Sequence, residues 1–352
     1  MAGSQRILLV RLGAIGDALR VLPAVRRLRL DRPDVHIGWA VEDWVYPVLA
    51  GNPNVDRFHV LNRRALGSGG RTALAELRRF TGELRAHRYD VAVDLQGRLK
   101  SGIVSWLSGA PRRLGYARGD GSEGSFLFAT ERVRLADPRE NRVLRFLHLL
   151  EPLGIEPVPE PDDLGLYVDP EVVRMARDWY AAASSPVLAV YPGGTADRAA
   201  FLRWQPDRWS QLLTRLAAAG HASVVFWGPD EEGLADEIVV AVNGDCRVAP
   251  ATTLPQMMAM LACFSVYVGA NTAAMHMAWL QGVATAFFPG PAQPRTDSPC
   301  VDVPFRVLWA GRHFSEGKSK GRQPECVREV TVDEAEEAVL SLLAGRLRGR
   351  GR

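Results

Sequence analysis

Cysteine is scarce in this sequence, and the motifs that depend on it are missing. Among 352 residues there are four cysteines, at positions 246, 263, 300 and 326, and no two of them form a C-x-x-C pair. This spacing excludes a zinc signature and a disulfide framework, and it favours a reducing compartment. No Asp-x-Asp motif is present either. We therefore expect a cytoplasmic protein without a metal site or a cofactor.

Long hydrophobic runs and an excess of one charge are also absent. The most apolar stretch, residues 257–270, is shorter than the roughly 20 residues of a membrane span, and only six residues precede the first apolar run, so we expect no signal peptide. The 43 basic and 40 acidic residues give a net charge of +3, which does not indicate a nucleic-acid partner. The basic tail leaves peripheral contact with an anionic membrane surface open.

Alternating strand and helix patterns predict an α/β protein with parallel sheets. In the first half the strand-like runs are RILLVR, VHIGWAV, FHVL and YDVAVDL, and the helical patterns cover residues 18–29, 43–50, 72–87 and 97–108. In the second half the strand-like runs are PVLAVYP, ASVVFWG, FSVYVGA and VATAFFPG, and the helical patterns cover residues 206–219, 231–241, 253–263 and 272–281. The sequence thus predicts two Rossmann-like, doubly wound halves.

A proline- and acid-rich segment, residues 151–163, separates these halves and reads as a linker. We expect one domain over residues 1–163, a second over 164–330, and a C-terminal helix with a basic tail over 331–352. The helical pattern of this last part covers residues 332–345 and is expected to end at Gly345. Two such domains would face each other across a cleft, where ligands commonly bind.

The segment from Arg6 to Pro23 combines a buried strand, a glycine turn and an acid at a helix start. Such turns lie at the carboxyl edge of a parallel sheet, where α/β proteins bind ligands. The spacing of Gly13, Gly16 and Asp17 matches neither the dinucleotide fingerprint nor a Walker A loop, which disfavours a nicotinamide-dependent dehydrogenase. Asp17 is therefore a candidate catalytic residue. The alternative is an acid that only complements the helix dipole.

Two loops of the second half carry residues suited to a nucleotide diphosphate. Gly194 and Thr195 follow a strand in a turn whose amides can approach an anion, and Arg198 and Arg203 supply cations for a leaving diphosphate. The alternative is an ordinary arginine-rich surface loop. After the next strand, Glu231 or Glu232 is placed either to bind ribose hydroxyls or to complement a helix start.

A third loop of the second half leads into a helix with a histidine. Asn271 is expected to be the N-cap, Thr272 to begin the helix, and Ala273 to lie in its first turn. His276 stands four residues after Thr272 on the same helical face. This start suits an anion, and the alternative for His276 is a core residue.

Basic and polar residues follow two strands of the first half. Arg63 and Arg64 come after FHVL, while Gln96 and Lys100 come after YDVAVDL. Because the carboxyl ends of parallel strands share one edge, we expect these side chains to receive an acidic acceptor. For Lys100 the alternative is a solvated helix position.

Taken in order, these motifs resemble the heptosyltransferases of glycosyltransferase family 9, which build the lipopolysaccharide inner core. The segments that carry the resemblance are RLGAIGD-x5-P at 11–23, DLQGRLKS at 94–101, YPGG at 191–194, WGPDEE at 227–232, NTAAMH at 271–276 and FPGPAQP at 288–294. The resemblance implies a GT-B fold, with an acceptor-binding first domain and a donor-binding second domain. It also implies metal-independent transfer of a sugar with inversion, from ADP-heptose to an acidic glycolipid.

By this resemblance Asp17 is the general base, Thr195 and the helix at Thr272 bind the donor phosphates, and Glu231 or Glu232 binds the nucleoside. The chain departs from the family at three positions, with Asn271 in place of the usual Asp, Ala273 in place of Gly, and Leu202 in place of Lys. These departures keep open a transferase that uses another nucleotide sugar and another acceptor. A separate alternative is a catalytically silent nucleotide-sugar-binding protein, and the presence of Asp17 counts against it.

Overall fold

The structure is a computed structural model that describes residues 4–160, 163–182, 187–193, 203–290, 293–310 and 325–349. The chain divides into two compact units, Met1–Tyr167 and Val168–Arg352. Each unit contains one parallel sheet of six strands. The α/β fold class expected from the sequence is confirmed.

The sheet of unit 1 has the strand order β3-β2-β1-β4-β5-β6. Its strands are β1 (Arg6–Val10), β2 (His36–Glu42), β3 (Arg57–Leu61), β4 (Val91–Asp94), β5 (Arg112–Tyr116) and β6 (Glu131–Val133). Its helices are α1 (Ile15–Leu19), α2 (Leu22–Asp31), α3 (Arg63–Gly67), α4 (Gly70–Ala86), α5 (Leu99–Leu107) and α6 (Arg142–His148). The order reverses between β1 and β4, which makes their carboxyl ends the switch point of this doubly wound sheet.

The central strand β1 is continuously apolar because helices cover both faces of the sheet. Its residues Ile7 to Val10 are at most 1% exposed. On one face, Leu8 and Val10 pack with Phe80 of α4 and Val104 of α5. This packing fixes the end of β1, where Asp17 follows.

Unit 2 repeats the topology with the strand order β12-β11-β10-β7-β8-β9. Its strands are β7 (Leu188–Tyr191), β8 (Ser223–Val225), β9 (Cys246–Val248), β10 (Val266–Ala270), β11 (Ala284–Phe288) and β12 (Phe305–Val307). Its helices are α7 (Pro170–Ala182), α8 (Pro206–Ala218), α9 (Glu232–Val240), α10 (Leu254–Leu261), α11 (Ala273–Trp279), α12 (Pro294–Asp297), α13 (Glu325–Arg328) and α14 (Val332–Gly349). The switch point here lies between β7 and β10.

An aromatic cluster anchors α8 to the sheet of unit 2. The ring of Trp204 lies 5.0 Å from that of Trp209 and 5.2 Å from that of Phe288, measured between centroids. The Trp204 indole also donates a hydrogen bond of 2.9 Å to the carbonyl of Val330. Tryptophan is buried readily when its N–H finds such a partner. The cluster thus ties α8 and the approach to α14 to β11.

Three predicted helices were wrong in extent. The pattern over residues 18–29 is broken into α1 and α2, because Pro23 has no amide hydrogen to continue a helix. The pattern over 43–50 contains only a short 3₁₀ helix, Tyr46–Val48, which includes Pro47. The last helix continues past Gly345 to Gly349, since one glycine inside a helix costs only about 1 kcal/mol. Across the described part of the chain, no helix combines the length and apolarity needed to cross a membrane.

Candidate functional site

The loops after β1 and β4 meet at the switch point of unit 1. The amide of Leu12, just after β1, donates a hydrogen bond of 3.0 Å to the Oε1 atom of Gln96, just after β4. Gln96 is held in turn by Asp94, whose Oδ1 accepts hydrogen bonds of 3.0 Å from the amides of Gln96 and Gly97. Burial raises the pKa of the Asp94 carboxyl. The predicted acceptor residue Gln96 therefore ties two loops together.

Asp17 lies in the first turn of α1, as the sequence predicts, and arginines surround its carboxylate. Arg11 pairs with Oδ2, Arg20 pairs with Oδ1, and Arg142 Nη1 lies 3.2 Å from Oδ1. The Asp17 side chain is 19% exposed, so it remains accessible from solvent. The carboxylate is thus fixed in position by charge-assisted hydrogen bonds.

The three arginines differ in burial. The side chains of Arg11 and Arg20 are 8% and 7% exposed, whereas that of Arg142 is 41% exposed. Arg11 lies over the Phe146 ring at 5.6 Å and donates to the carbonyl of Leu95 at 3.3 Å. Burial lowers the pKa of Arg11, and the neighbouring Asp17 opposes this shift. Arg11 and Arg20 are therefore the buried residues that hold the Asp17 carboxylate in position, and Arg142 is the most exposed of the three arginines and the best placed to move.

A chain of contacts joins two predicted acceptor residues, Lys100 and Arg63, in unit 1. The Lys100 ammonium pairs with Oε1 of the buried Glu42, and the Trp44 indole donates to Glu42 Oε2 at 2.5 Å. The guanidinium of Arg63 lies 5.7 Å from the centre of the Trp44 ring. A Cβ atom on Gly13 would lie 3.0 Å from Trp44, so the Asp17 loop approaches this group closely. Arg64 is exposed on α3 beside it.

In unit 2, Glu231 turns inward and joins the loops after β7 and β8. Its carboxylate accepts hydrogen bonds from Tyr191 Oη at 3.2 Å, from Arg203 Nη2 at 2.8 Å and from the Gly228 amide at 3.2 Å. Burial is the main cause that raises the pKa of the Tyr191 hydroxyl, and the negative charge of the neighbouring Glu231 raises this pKa further. A Cβ atom on Gly193 would stand 2.1 Å from Glu231 Oε2, so only glycine fits there. Glu231 is 6% exposed, whereas Glu232 is exposed in the first turn of α9.

The loop after β10 departs from the prediction by one residue. Thr272 and not Asn271 is the N-cap, and α11 begins at Ala273. The backbone of Thr272 is extended, with φ −128° and ψ −176°, so Thr272 lies outside the helix and Asn271 stands one residue before the cap. The Asn271 amide N–H donates to the carbonyl of Phe288 in β11. Its side chain donates a hydrogen bond of 3.0 Å to Oδ2 of Asp297, a carboxylate that is 4% exposed.

His276 is buried in α11 at 3% exposure, and the Trp279 indole donates to its Nδ1 atom at 3.0 Å. In the neutral imidazole this leaves the ring proton on Nε2. Gly194, Thr195 and Arg198, predicted to bind the donor, lie outside the described residues, as does Leu202. Within the described ranges, no group of three or more His, Cys, Asp or Glu side chains is placed to hold a metal ion.

Several groups at these edges were missed from the sequence. Arg20 follows Asp17 by three residues on one helical face, a spacing that could have been noticed. Arg142, Glu42 and Asp297 reach their partners over 125, 58 and 26 residues of sequence, and no local pattern signals such contacts. The structure therefore identifies residues, distant in sequence, that contact the predicted site residues.

Comparison with known proteins identifies the family. Residues 77–292, more than half of the chain, match the model of glycosyltransferase family 9 (heptosyltransferase). Lipopolysaccharide heptosyltransferase 1 of Pseudomonas aeruginosa is 28% identical over 82% of this chain and 80% of its own length. Lipopolysaccharide heptosyltransferase 2 of Escherichia coli is 25% identical over 82% of this chain and 84% of its own length.

Solved structures show the same fold. A family 9 glycosyltransferase from Veillonella parvula superposes with a TM-score of 0.79 at 18% identity, covering 98% of this chain and 99% of that one. The E. coli heptosyltransferase WaaC with ADP gives a TM-score of 0.77 at 19% identity, covering 96% of this chain and all of that one. The GT-B fold expected from the sequence is confirmed.

Proposed function

The chain belongs to glycosyltransferase family 9 and is a glycosyltransferase, and from this premise we propose that it transfers a heptose from ADP-heptose to a hydroxyl group of an acidic acceptor, the lipopolysaccharide inner core. The observation that carries the proposal is Asp17, a carboxylate held at the switch point of a doubly wound unit by charge-assisted contacts. The named functions of the relatives support the sugar and the acceptor. The ADP in the E. coli structure supports the nucleotide.

In the proposed reaction, the acceptor oxygen attacks the anomeric carbon from the face opposite the diphosphate. The bond between this carbon and the diphosphate oxygen breaks, and ADP leaves with the electron pair, so the configuration inverts. Asp17 takes the proton of the attacking hydroxyl as general base. No step in this scheme calls on a bound metal ion.

Acceptor binding is proposed to rearrange the contacts around Asp17. The acceptor hydroxyl must come within hydrogen-bond distance of the carboxylate, where it competes with the surrounding guanidinium groups. Arg142 is the most exposed of the three arginines, so we expect acceptor binding to shift Arg142 and to leave Arg11 and Arg20 in place. An anionic group on the acceptor is a suitable new partner for Arg142.

The donor is proposed to bind unit 2 at the carboxyl ends of β7, β8 and β10. Arg203, held by Glu231, and Arg198 supply positive charge for the departing diphosphate. Gly194 and Thr195 are proposed to donate hydrogen bonds to the same phosphates. Because the Glu231 carboxylate already joins two loops, Glu232 is the better candidate for the ribose hydroxyls. Asn271, Thr272, Ala273 and His276 complete the proposed donor residues.

The acceptor is proposed to bind unit 1 through Arg63, Arg64, Gln96 and Lys100. The contacts that join Lys100 to Arg63 through Glu42 and Trp44 support a shared surface for an acidic saccharide. Since the inner core is linked to a lipid, we also propose that the protein works in the cytoplasm, at the inner face of the membrane, without spanning it.

A second candidate is a transferase that uses another nucleotide sugar and another acceptor. The observation that favours it is the neutral Asn271 side chain, which donates its hydrogen bond to Asp297 at the predicted donor edge. An amide and a carboxylate at this place offer a different pattern of hydrogen bonds to sugar hydroxyls than a carboxylate alone.

The test is a transfer assay with mass-spectrometric detection. The purified protein is incubated with a heptose-deficient inner-core acceptor and, in separate reactions, with ADP-heptose, other ADP-sugars and UDP-sugars. We expect the acceptor to gain one heptose with ADP-heptose alone, and we expect ADP but not UDP to protect the protein from thermal unfolding. Transfer from a different donor would select the second candidate. A protein that binds the donor but neither transfers its sugar nor slowly hydrolyses it would be a catalytically silent binding protein.

A further inference from the structure

One outer surface of unit 1 exposes large apolar side chains on neighbouring elements. Leu74 and Leu77 of α4 are 45% and 38% exposed, Leu99 and Trp106 of α5 are 44% and 54% exposed, and Leu127 is 68% exposed. We call these five residues the α4–α5 face. Scattered exposed leucines are ordinary, but a group of them with a tryptophan marks an interaction surface.

The elements that carry the α4–α5 face pack against each other. Arg85 of α4 donates from Nε to the carbonyl of Leu107, the last residue of α5, at 3.0 Å. Leu127 ends a 3₁₀ helix, Ser125–Leu127, that packs on α5, where a Cβ atom on Gly102 would lie 2.9 Å from the Phe128 ring. The exposed residues of the face thus lie on adjoining elements.

The core of unit 1 does not account for these side chains. Helix α4 is anchored by Phe80 and Leu84, and α5 is anchored by Val104, all of which are buried. Leu99 and Trp106 are seven residues apart, which places them on one side of α5, away from Val104. The face therefore presents apolar surface that the folded unit leaves uncovered.

Positive charge lies on the α4 side of this face. Arg71, Arg78 and Arg85 on α4 are exposed, whereas Arg98, before α5, pairs with the exposed Glu123 at 3.6 Å. The two acids of α4 are already neutralised, since Glu76 pairs with Arg79 at 2.7 Å and Glu83 pairs with Arg57 at 2.9 Å. The surface therefore combines apolar side chains with cations.

We propose that the α4–α5 face docks on the surface of an anionic phospholipid bilayer. Trp106 and the leucines enter the boundary between headgroups and acyl chains, where amphipathic tryptophan is favoured, and the arginines contact lipid phosphates. The inference deepens the proposed function, because it names the surface that meets the membrane holding the lipid-linked acceptor. Lys100, a proposed acceptor residue, follows Leu99 directly in the first turn of α5.

The test is cosedimentation of the full-length protein with phosphatidylcholine vesicles that contain or lack phosphatidylglycerol. The triple variant Leu99→Gln, Trp106→Gln, Leu127→Gln is compared with a control triple variant, Leu30→Gln, Met175→Gln, Val240→Gln, whose residues are 42%, 56% and 86% exposed. We expect the first variant to bind phosphatidylglycerol vesicles about 10-fold more weakly, because its apolar anchors are gone, and the control to bind like the wild type. Equal binding by the two variants would overturn the proposal.

A charge variant tests the same face without changing its apolar residues. We expect Arg71→Glu, Arg78→Glu to weaken binding to phosphatidylglycerol vesicles by about 5-fold or more for each arginine and to leave the weak binding to pure phosphatidylcholine unchanged. If the wild-type protein instead sediments as a dimer without lipid, and the first triple variant makes it monomeric, the face joins two copies of the chain and the proposal fails.

Transfer to a water-soluble acceptor saccharide separates this inference from the proposed function. We expect the triple and charge variants to keep wild-type transfer to such an acceptor. Vesicle binding that depends on the face, in a protein that transfers no sugar, would leave the docking surface standing and refute the proposed function. Sugar transfer by a protein that does not bind vesicles would support the proposed function and refute the docking surface.

Discussion

The two units have the same strand order but use a carboxylate differently at the switch-point edge. In unit 1, Asp17 is 19% exposed in a first helical turn, beside the half-exposed Arg142. In unit 2, Glu231 is 6% exposed and joins Tyr191, Arg203 and the Gly228 amide. The comparison teaches that the topology decides where a carboxylate stands, whereas burial and partners decide what it does.

The comparison gives Asp17 the role of the general base, and we expect its substitution to have the largest effect on the transfer rate. We predict that Asp17→Asn lowers the transfer rate by about 100-fold to 10,000-fold, the contribution of a general base, and leaves donor affinity unchanged. The rate is measured in single-turnover reactions. Asp207→Asn is the matched control, because Asp207 is an exposed acid in the first turn of α8. Equal transfer rates in the two variants would mean that Asp17 is not the general base and only complements the dipole of α1.

Glu231 is assigned a positioning role, and its loss should affect folding and donor binding. We predict that Glu231→Gln lowers the free energy of unfolding by about 3 kcal/mol, because the partly buried Arg203 loses its charged partner, and that it raises the KM for the donor. Glu232→Gln should change the free energy of unfolding by less than about 0.5 kcal/mol. Chemical denaturation measures both variants. Greater destabilisation by Glu232→Gln would contradict the comparison.

Acidification should distinguish the two units. Burial lowers the pKa of His59 in unit 1 from 6.5 to about 4, and its Nε2 lies 2.6 Å from the hydroxyl of the buried Tyr89. The folded state keeps His59 neutral, so below pH 6.5 the unfolded state binds a proton that the folded state does not. The contribution of His59 to the free energy of unfolding is fully present above pH 6.5 and falls as the pH drops toward 4.

At pH 5 the predicted loss from His59 is on the order of 1–2 kcal/mol, since Glu83, whose Oε1 lies 3.2 Å from Nδ1, opposes the effect of burial on the pKa. Hydrogen exchange at pH 7 and pH 5 checks this, with the amides of β3 and β4 in unit 1 losing protection more than those of β7 and β10 in unit 2. A His59→Gln variant should show a smaller dependence on pH. Equal loss of protection in both sheets would argue against His59 as the cause.

The smallest effect is expected at the proposed acceptor surface. We predict that Lys100→Met raises the KM for an acidic acceptor by about 3-fold to 10-fold and leaves kcat unchanged, because a partly exposed cation contributes about 1 kcal/mol. Initial-rate kinetics measure both constants. Arg247→Met, which breaks an exposed ion pair of 3.0 Å in unit 2, is the control. A matching rise in KM with the control variant would mean that Lys100 has no specific role.

The sequence predicted the sheets better than the contacts between loops. Continuous apolar runs such as RILLV identify buried parallel strands, and the loop at Gly13 identifies the edge where Asp17 stands, although Gly16, predicted in the same turn, lies inside α1. Short edge strands such as β6 and β12 have three residues and no apolar run, so they were not predicted.

Partners and helix boundaries were harder to predict than strands. Arg142 reaches Asp17 only through the folding of unit 1. The inward position of the Glu231 side chain depends on Tyr191, at the end of β7, and on Gly193, in the loop after it. Tertiary contacts of this kind have no local sequence signal. The boundary of α11 differs by one residue because the backbone of Thr272 is extended and not helical.

The most direct test of the contrast between Asp17 and Glu231 is to measure ADP binding and single-turnover transfer in both variants. Calorimetry should show that Asp17→Asn binds ADP with the wild-type affinity, while its transfer rate falls by at least about 100-fold. Glu231→Gln should bind ADP more weakly and still transfer at saturating donor. The contradicting result is the reverse pattern, in which Asp17→Asn loses ADP affinity and Glu231→Gln keeps its affinity but loses turnover.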